Sequence, residues 1–339
     1  MAEMTPTAAT QRATAAVGTD VSAMAQAIVL HHAADYAGFP EQPAPAASAP
    51  PAGSMHGRTP HTRETHDAVY AAALRACSTL GFIAQDADTL ARAWAAQTCR
   101  TGVFSPECWP AEPADFGLLP RPPAQPFAAC PPALGLYAVL HDAQWVARMA
   151  RAGVPTVQLR YKSDDAAAIG REVAAAVRAV EGTGALLFIN DHWRQAIAAG
   201  AYGVHLGQED LDALQADDLD AIRNAGLRLG VSTHGYAEMV RADRASPSYI
   251  AMGAVYPTTL KKMVTVPQGV ARLKAYARLM RGYPQVAIGG IGLEQFPEVL
   301  ASGVGSIAVV RALVAAPDPE AAAAQLMQAL AAHGGGAPR

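Results

Sequence analysis

Cationic and acidic side chains follow several short apolar runs in the second half of the chain. Arg160 and Lys162 come at the end of one run, Asn190 and Asp191 end the next, and Asp210 follows a third. Two carboxylates in a partly dry site repel each other unless a cation lies between them. Oxygen ligands that leave coordination positions free suit Mg²⁺ bound to phosphate oxygens, with Lys and Arg supplying further positive charge. The pattern therefore predicts a Mg²⁺–diphosphate site.

The later apolar runs also end in polar or glycine residues. These are Ser232, Thr258, Thr259, Lys261, Gly289 and Gly290. The glycine pair fits a phosphate held by backbone N–H groups, although a tight turn is the alternative. A second phosphate site beside the first implies two phosphorylated substrates. Asp191 and Asp210 could instead cap the helices that follow them, but the neighbouring cations favour metal binding.

These residues need a scaffold that brings successive strand ends together. From about residue 135, short β-rich runs alternate with helical runs such as 166–180 and 268–279. The predicted strands are 136–140, 156–160, 186–190, 203–206, 227–232, 249–255, 285–289 and 306–310. This α/β alternation predicts a (β/α)8 TIM barrel, in which active groups lie at the C-terminal strand ends. An open doubly wound sheet is the alternative, but no Gly-rich turn follows the first strand.

The first 132 residues are predicted to be an N-terminal extension. Residues 1–65 are rich in Ala, Thr, Pro and Ser and are predicted to be disordered and of low complexity, apart from a short helix at 21–30. Residues 66–105 predict a helical hairpin, and 106–132 a Pro-rich linker to the barrel at 133–332. Irregular spacing predicts solvated histidines in the extension, at His31, His32, His56, His61 and His66.

The composition indicates which kinds of partner the protein binds and in which cellular compartment it lies. Charged residues make up 16% of the 339 residues and the net charge is -3, which argues against nucleic-acid binding. The apolar runs are too short and too interrupted for a membrane span. No secretory signal is visible, and the four cysteines lack a C-x-x-C pair and precede the motifs. We therefore expect reduced thiols and a cytoplasmic protein, and the sequence leaves room for a homo-oligomer.

Six motifs occur in order between about residues 134 and 330. They are QLRYK at 158–162, ND at 190–191, GVHLGQED at 203–210, GVSTH at 230–234, YPTTLKK at 256–262 and GGI at 289–291. In type and order they resemble the motif set of thiamine phosphate synthases. The resemblance implies a (β/α)8 transferase of thiamine biosynthesis that uses Mg²⁺. Such an enzyme joins hydroxymethylpyrimidine diphosphate to a thiazole phosphate and releases diphosphate.

The resemblance also implies a role for each matching position. Contacts to the pyrimidine diphosphate would come from Gln158, Leu159, Arg160, Tyr161, Lys162, Asn190, Ser232 and Lys261, and Mg²⁺ would bind Asp191 and Asp210. Contacts to the thiazole phosphate would come from Thr258, Thr259, Leu260, Gly290, Val310 and Arg311. Arg160, Lys162, Ser232 and Lys261 would act in catalysis. Leu260 departs from the family pattern, which usually has a second hydroxyl residue there, so one side-chain contact is in question.

The hairpin resembles another family. Residues 67–82 are similar to the C-terminal helices of hydroxymethylpyrimidine phosphate kinases. Arg63-Glu64-Thr65-His66 stands where that family has a Gly-Thr-Gly anion-binding turn. Without those glycines, the resemblance implies an inactive remnant.

Two other functions fit the same barrel. A thiazole tautomerase-like isomerase would need an acid–base histidine but not the aspartate pair, and a non-catalytic phosphate-binding regulator would need no chemistry. The presence of Asp191, Asp210 and Lys162 disfavours both. For His205 and His234 we favour a structural role, because His205 falls within a predicted strand.

Overall fold

The computed structural model describes residues 20–43, 45, 60–120, 123, 125–258 and 266–333. The chain divides into two compact units, Met1–Pro110 and Ala111–Arg339. Within the described ranges, every helix falls short of the length and apolar character that a transmembrane helix needs. All four cysteines are free thiols.

The first unit contains three described helices, α1 Val21–His32, α2 Pro60–Thr79 and α3 Ala84–Thr101. Helix α1 begins where the Asp20 carboxylate accepts a hydrogen bond from the backbone N–H of Ser22, which caps the first turn. Helix α2 begins at Pro60, so the hairpin starts before the predicted residue 66. Residues 60–65 are helical rather than disordered. The predicted disorder of residues 1–19 and 46–59 falls outside the described residues.

Aromatic side chains form much of the core of this unit. Trp94 and Phe82 are fully buried, and the rings of His32 and Trp109 lie 4.9 Å apart. The prediction that His32 is solvated is wrong, because only 7% of it is exposed and its Nε2 atom lies 3.0 Å from the carbonyl oxygen of Pro106. Burial lowers the pKa of His32, so the ring packs as a neutral group.

The second unit is a closed barrel of eight parallel strands. In chain order these are β1 Gly135–Leu140, β2 Thr156–Leu159, β3 Leu186–Asn190, β4 Gly203–Leu206, β5 Arg228–Thr233, β6 Tyr249–Met252, β7 Gln285–Ile288 and β8 Ser306–Val309. Each strand pairs with the next, and β8 closes on β1. The predicted barrel is confirmed, and the alternative open sheet is excluded.

Helices follow the strands and cover the barrel. They are α4 Ala143–Arg151, α5 Ala166–Val180, α6 Trp193–Ala199, α7 Gln208–Ala213, α8 Ala216–Asn224, α9 Tyr236–Arg244, α10 Gly269–Leu279, α11 Phe296–Leu300, α12 Arg311–Val314 and α13 Pro319–His333. Helix α5 illustrates how the local sequence determines where a helix begins and which face it buries. Asp165 caps its first turn, and its buried Ile169, Val173 and Ala176 follow the helical period.

Alternate strand residues fill the barrel interior, as the two-residue period of a strand requires. Tyr137 and Val139 of β1 pack there with Phe188 of β3 and Tyr249 of β6. Gly230 of β5 makes room for one of these rings, because a Cβ atom at that position would lie 2.1 Å from Cζ of Tyr249. The glycine therefore lets the Tyr249 ring occupy the space inside the barrel beside β5.

Part of the predicted Pro-rich linker belongs to the barrel unit. A 3-10 helix at Pro113–Phe116 buries Phe116, whose ring stacks on that of Tyr236 with centroids 5.5 Å apart. The backbone N–H of Leu119 donates a 2.7 Å hydrogen bond to Oδ2 of Asp243. The unit boundary after Pro110 therefore replaces the predicted start of the barrel domain at residue 133.

Candidate active site

A cavity of about 930 Å³ opens at the C-terminal ends of the strands. Of the side chains predicted to act there, it is lined by Gln158, Arg160, Lys162, Asn190, Asp191, Asp210, Ser232, Thr258, Gly290, Val310 and Arg311. Neither Leu159 nor Tyr161 lines the cavity. Leu159 is buried and alternates along β2 with Gln158, whose side chain faces the cavity. Thr259, Leu260 and Lys261 lie outside the described residues.

The barrel explains why residues far apart in sequence meet here. All neighbouring strands run parallel, so their C-terminal ends lie at one rim. Strand β2 ends at Leu159 and β3 at Asn190, so the polar residues after them emerge side by side. Gln158 of β2 also pairs in register with Phe188 of β3.

Asp191 forms an ion pair with Lys162. The Lys162 ammonium donates a 2.6 Å hydrogen bond to Oδ2 of Asp191. Asp191 has a backbone φ of 62°, in the left-handed region that few residues other than glycine adopt. Asp and Asn tolerate this conformation better than most side chains. The strained backbone sends the Asp191 carboxylate toward Lys162 and Asp210 at the rim.

Asp191 and Asp210 are close enough for each carboxyl group to shift the pKa of the other. Burial acts to raise the pKa of Asp191, but the hydrogen bond and charge of Lys162 outweigh it and hold that pKa below its usual value. Burial and the negative charge of Asp191 raise the pKa of Asp210. Two crowded carboxylates of this kind favour a cation between them.

This pair fits a Mg²⁺ site. Among the described residues no group of three or more His, Cys, Asp and Glu side chains could hold a metal ion. Asp191 and Asp210 would supply two carboxylate ligands, with the other coordination positions left to water and substrate. Mg²⁺ usually binds in this way, through one or two carboxylates together with substrate phosphates.

The capping alternative accounts for only one of the two aspartates. The Asp210 carboxylate accepts a 3.1 Å hydrogen bond from the backbone N–H of Gly207, at the start of α7. Helix α6 has His192 at its N-cap position, without a side-chain capping bond. Asp191 therefore bonds to Lys162 rather than capping a helix.

The opposite part of the rim is formed by glycines and by the turn after β8. Gly289 and Gly290 have φ values of 106° and 67°. A Cβ atom on Gly290 would lie 2.5 Å from the carbonyl oxygen of Pro257, so the chain after β6 approaches this glycine closely. Val310, which follows β8, and Arg311, the first residue of α12, complete this part of the cavity wall.

His205 has a place in the cavity wall that the sequence interpretation did not assign to it. Its Nε2 atom lies 2.7 Å from Oγ of Ser232, and its Nδ1 atom lies 2.7 Å from the hydroxyl of Tyr249. Strand alternation could have indicated this position, because His205 shares the inward face of β4 with Gly203. The location of His205 within a strand is the reason that the sequence predicts a structural role for it.

Further polar side chains line the cavity without a predicted binding role, namely His141, Glu209, Thr233, His234 and Gln295. Nδ1 and the backbone N–H of His234 lie 2.7 and 2.8 Å from Oε2 of Glu238. Nε2 of His141 lies 3.1 Å from Oδ2 of Asp142. No described side chain forms a hydrogen bond or ion pair with the guanidinium of Arg160.

The barrel part of the chain is similar to known proteins. The thiamine-phosphate synthase of Neisseria meningitidis is 55% identical over 188 residues, covering 56% of this chain and 90% of that protein. That of Serratia proteamaculans is 51% identical, covering 60% and 94%. The solved thiamine phosphate pyrophosphorylase of Pyrococcus furiosus aligns with a TM-score of 0.51 and 25% identity, over 59% of this chain and 96% of that one. The sequence model of thiamine monophosphate synthase matches residues 136–313, more than half of the chain, and the chain belongs to that family.

Proposed function

We propose that this chain joins 4-amino-2-methyl-5-hydroxymethylpyrimidine diphosphate to 4-methyl-5-(2-phosphoethyl)thiazole. The products are thiamine phosphate and diphosphate. One arrangement carries the proposal: the Lys162–Asp191–Asp210 group and the Gly290 turn line a single cavity. The volume of about 930 Å³ lies at the upper end of ordinary ligand pockets, as two small heterocyclic substrates would require.

The reaction needs no protein nucleophile. The amino group of the pyrimidine pushes electrons toward the methylene carbon while the bond from this carbon to the diphosphate oxygen breaks. The electron pair of that bond leaves with diphosphate. The thiazole nitrogen then forms the new C–N bond with its lone pair, which leaves a thiazolium, so no proton is transferred. The protein contributes orientation and stabilisation of the leaving charge.

Asp191 and Asp210 would hold Mg²⁺, with Asn190 and Gln158 beside the pyrimidine. Bound Mg²⁺ supplies positive charge at the diphosphate oxygens. Lys162 and Arg160 supply the charge that comes from the chain itself, and the Arg guanidinium suits bidentate contact with phosphate. Lys261, which lies outside the described residues, stays a proposed third cation.

The thiazole phosphate would bind at the other side of the cavity. Thr258, Gly290, Val310 and Arg311 line this region. Close approach of backbone at Gly290 suits phosphate contact through N–H groups. The contribution of Thr259 and Leu260 stays a prediction because both lie outside the described residues.

A product assay tests the proposal. The full-length chain would be given each substrate alone and both together, with and without Mg²⁺, while diphosphate and thiamine phosphate are measured. We expect both products in equal amounts, and only when both substrates and Mg²⁺ are present. Isomerisation of a thiazole without the pyrimidine would favour the tautomerase-like alternative. Binding of both ligands without turnover would favour the regulator.

We propose a cytoplasmic location, since the proposed substrates are small phosphorylated metabolites.

A further inference from the structure

Four side chains form a continuous line of hydrogen bonds from the barrel core to the cavity. The hydroxyl of Tyr137 lies 2.8 Å from that of Tyr249, which lies 2.7 Å from Nδ1 of His205. Nε2 of His205 lies 2.7 Å from Oγ of Ser232. Both tyrosines are fully enclosed, whereas His205 and Ser232 line the cavity. We call these four residues the hydrogen-bonded line.

A neutral imidazole can orient this line in two ways, because one ring nitrogen donates and the other accepts. In the first orientation, Ser232 donates to Nε2 of His205 and presents only lone pairs to the cavity. In the second, Nε2–H donates to Ser232, whose own proton is then available to a ligand. The second orientation requires Nδ1 to accept a hydrogen bond, so its neighbour, the hydroxyl of Tyr249, must donate.

The charge of the proposed ligand selects between the two orientations. Diphosphate offers only acceptor oxygens, so an acceptor-only Ser232 would repel it, whereas a donor stabilises it. Arg160 and Lys162 in the same cavity make it suitable for an anion. In the second orientation Tyr249 accepts from Tyr137 while it donates to His205, so each buried hydroxyl of the line has a partner. Burial raises the pKa of both tyrosines, so both hydroxyls keep their protons.

We propose that Tyr249, supported by Tyr137, is a positioning residue that holds His205 in the tautomer protonated at Nε2, so that the Ser232 hydroxyl donates a hydrogen bond to a departing diphosphate oxygen and keeps its proton. Tyr249 acts only through His205 and does not touch substrate. Gly230 is needed for the hydrogen-bonded line, because its missing side chain leaves the space that the Tyr249 ring fills. The inference rests on the proposed function, since it requires diphosphate as the leaving group.

Nitrogen NMR of the imidazole tests the tautomer in the intact protein. The full-length chain would be labelled with ¹⁵N-histidine and saturated with Mg²⁺ and inorganic diphosphate. The His205 signals would be assigned from their loss in His205→Asn. We expect a protonated Nε2 and an unprotonated Nδ1. Protonation at Nδ1 alone, or at both nitrogens, would overturn the proposal, and neither result depends on turnover.

A double-mutant cycle tests the coupling between Tyr249 and Ser232. Ser232→Ala should lower kcat about 100-fold by removing the final donor. Tyr249→Phe should lower kcat about tenfold with little change in the KM for either substrate, because the tautomer is no longer enforced. In the Ser232→Ala background, Tyr249→Phe should have no further effect. An equal loss in both backgrounds would mean that Tyr249 only supports the fold, and the proposal would fail.

Tyr276→Phe is the matched control. It removes a buried hydroxyl that donates a 2.9 Å hydrogen bond to Oε1 of Gln268, away from the line. This variant should keep the wild-type kcat. Thermal unfolding of each variant checks that the barrel remains folded. A wild-type chain that released no diphosphate from the two substrates would refute the proposed function, whereas normal turnover with additive variants would refute only the role of Tyr249.

Discussion

The ammonium of Lys162 lies 2.6 Å from Oδ2 of Asp191, although the two residues are 29 positions apart in the chain. They meet because β2 and β3 are parallel neighbours whose C-terminal ends reach the same rim. The ion pair therefore links Lys162, which is proposed to bind diphosphate, to Asp191, which is proposed to bind Mg²⁺. Removing either side chain therefore changes the charge that acts on the other.

Asp191→Asn tests the proposed metal site with little disturbance of the backbone. Asn tolerates the φ of 62° at this position, whereas Ala would add strain there. We expect kcat to fall about 100-fold or more, since the amide cannot supply the negative charge that binds Mg²⁺. The measurement is the rate of diphosphate release at increasing Mg²⁺ concentrations. Asp217→Asn makes the same change at an exposed position and should leave the rate unaltered. Normal turnover of Asp191→Asn would refute the metal assignment.

Gly290→Ala tests the proposed thiazole phosphate site. The new Cβ atom would lie 2.5 Å from the carbonyl oxygen of Pro257, so the backbone beside Thr258 must move. We expect the KM for the thiazole phosphate to rise about tenfold, a cost of about 1.4 kcal/mol in binding, with a smaller change for the pyrimidine diphosphate. Steady-state kinetics with each substrate varied in turn would measure this.

Gly200→Ala is the matched control for Gly290→Ala. Both glycines have a φ of 67°, but no atom lies within 4 Å of the Cβ position at Gly200. Both variants therefore carry the same left-handed strain of about 1 to 2 kcal/mol. Only the Gly290 variant should change KM. Equal effects of the two substitutions on KM would show that strain, rather than the cavity contact, is responsible.

Phe116→Ala tests whether the segment before the barrel stabilises it. Phe116 is 7% exposed and stacks on Tyr236, so its removal should lower the free energy of unfolding by about 3 kcal/mol. Urea unfolding followed by circular dichroism would measure this. Leu119→Ala, in the same segment but 42% exposed, should change stability by less than about 0.5 kcal/mol. An undiminished stability of Phe116→Ala would mean that the segment does not contribute to the barrel.

Glu238 predicts a pH dependence of stability. Burial acts to raise its pKa, but the hydrogen bonds and charge of His234 outweigh this and lower the pKa below the ordinary value of 4.5. A carboxyl with a depressed folded-state pKa stabilises the protein above its unfolded value and loses that contribution as the pH falls through the folded value. The unfolding free energy should therefore drop more steeply in wild type than in Glu238→Gln between about pH 5 and about pH 3.

Urea titrations at several pH values would measure these slopes. Replacing the exposed Glu294 by Gln makes the same charge change at the surface and should leave the slope as in wild type. Parallel curves for wild type and Glu238→Gln would contradict the prediction.

Sequence reasoning located most of the barrel and much of its rim. The strands at 186–190 and 203–206 were predicted with the observed bounds, because a β-rich run between helical runs is a local signal. The polar residues after these runs were likewise recognisable. The burial of Phe116 within residues 111–119 was not, because a Pro-rich composition does not indicate that this ring will stack on that of Tyr236.

The sequence by itself determined the alternation of strands and helices, and therefore that Lys162, Asp191 and Asp210 follow strand ends. The period of apolar residues and the residues that end each run are local properties, readable along the chain. Only the tertiary structure decided that Tyr249 reaches both Tyr137 and His205 inside the barrel, and that His205 meets Ser232. Those contacts depend on closure of the barrel and on the space at Gly230, which join residues from four different strands.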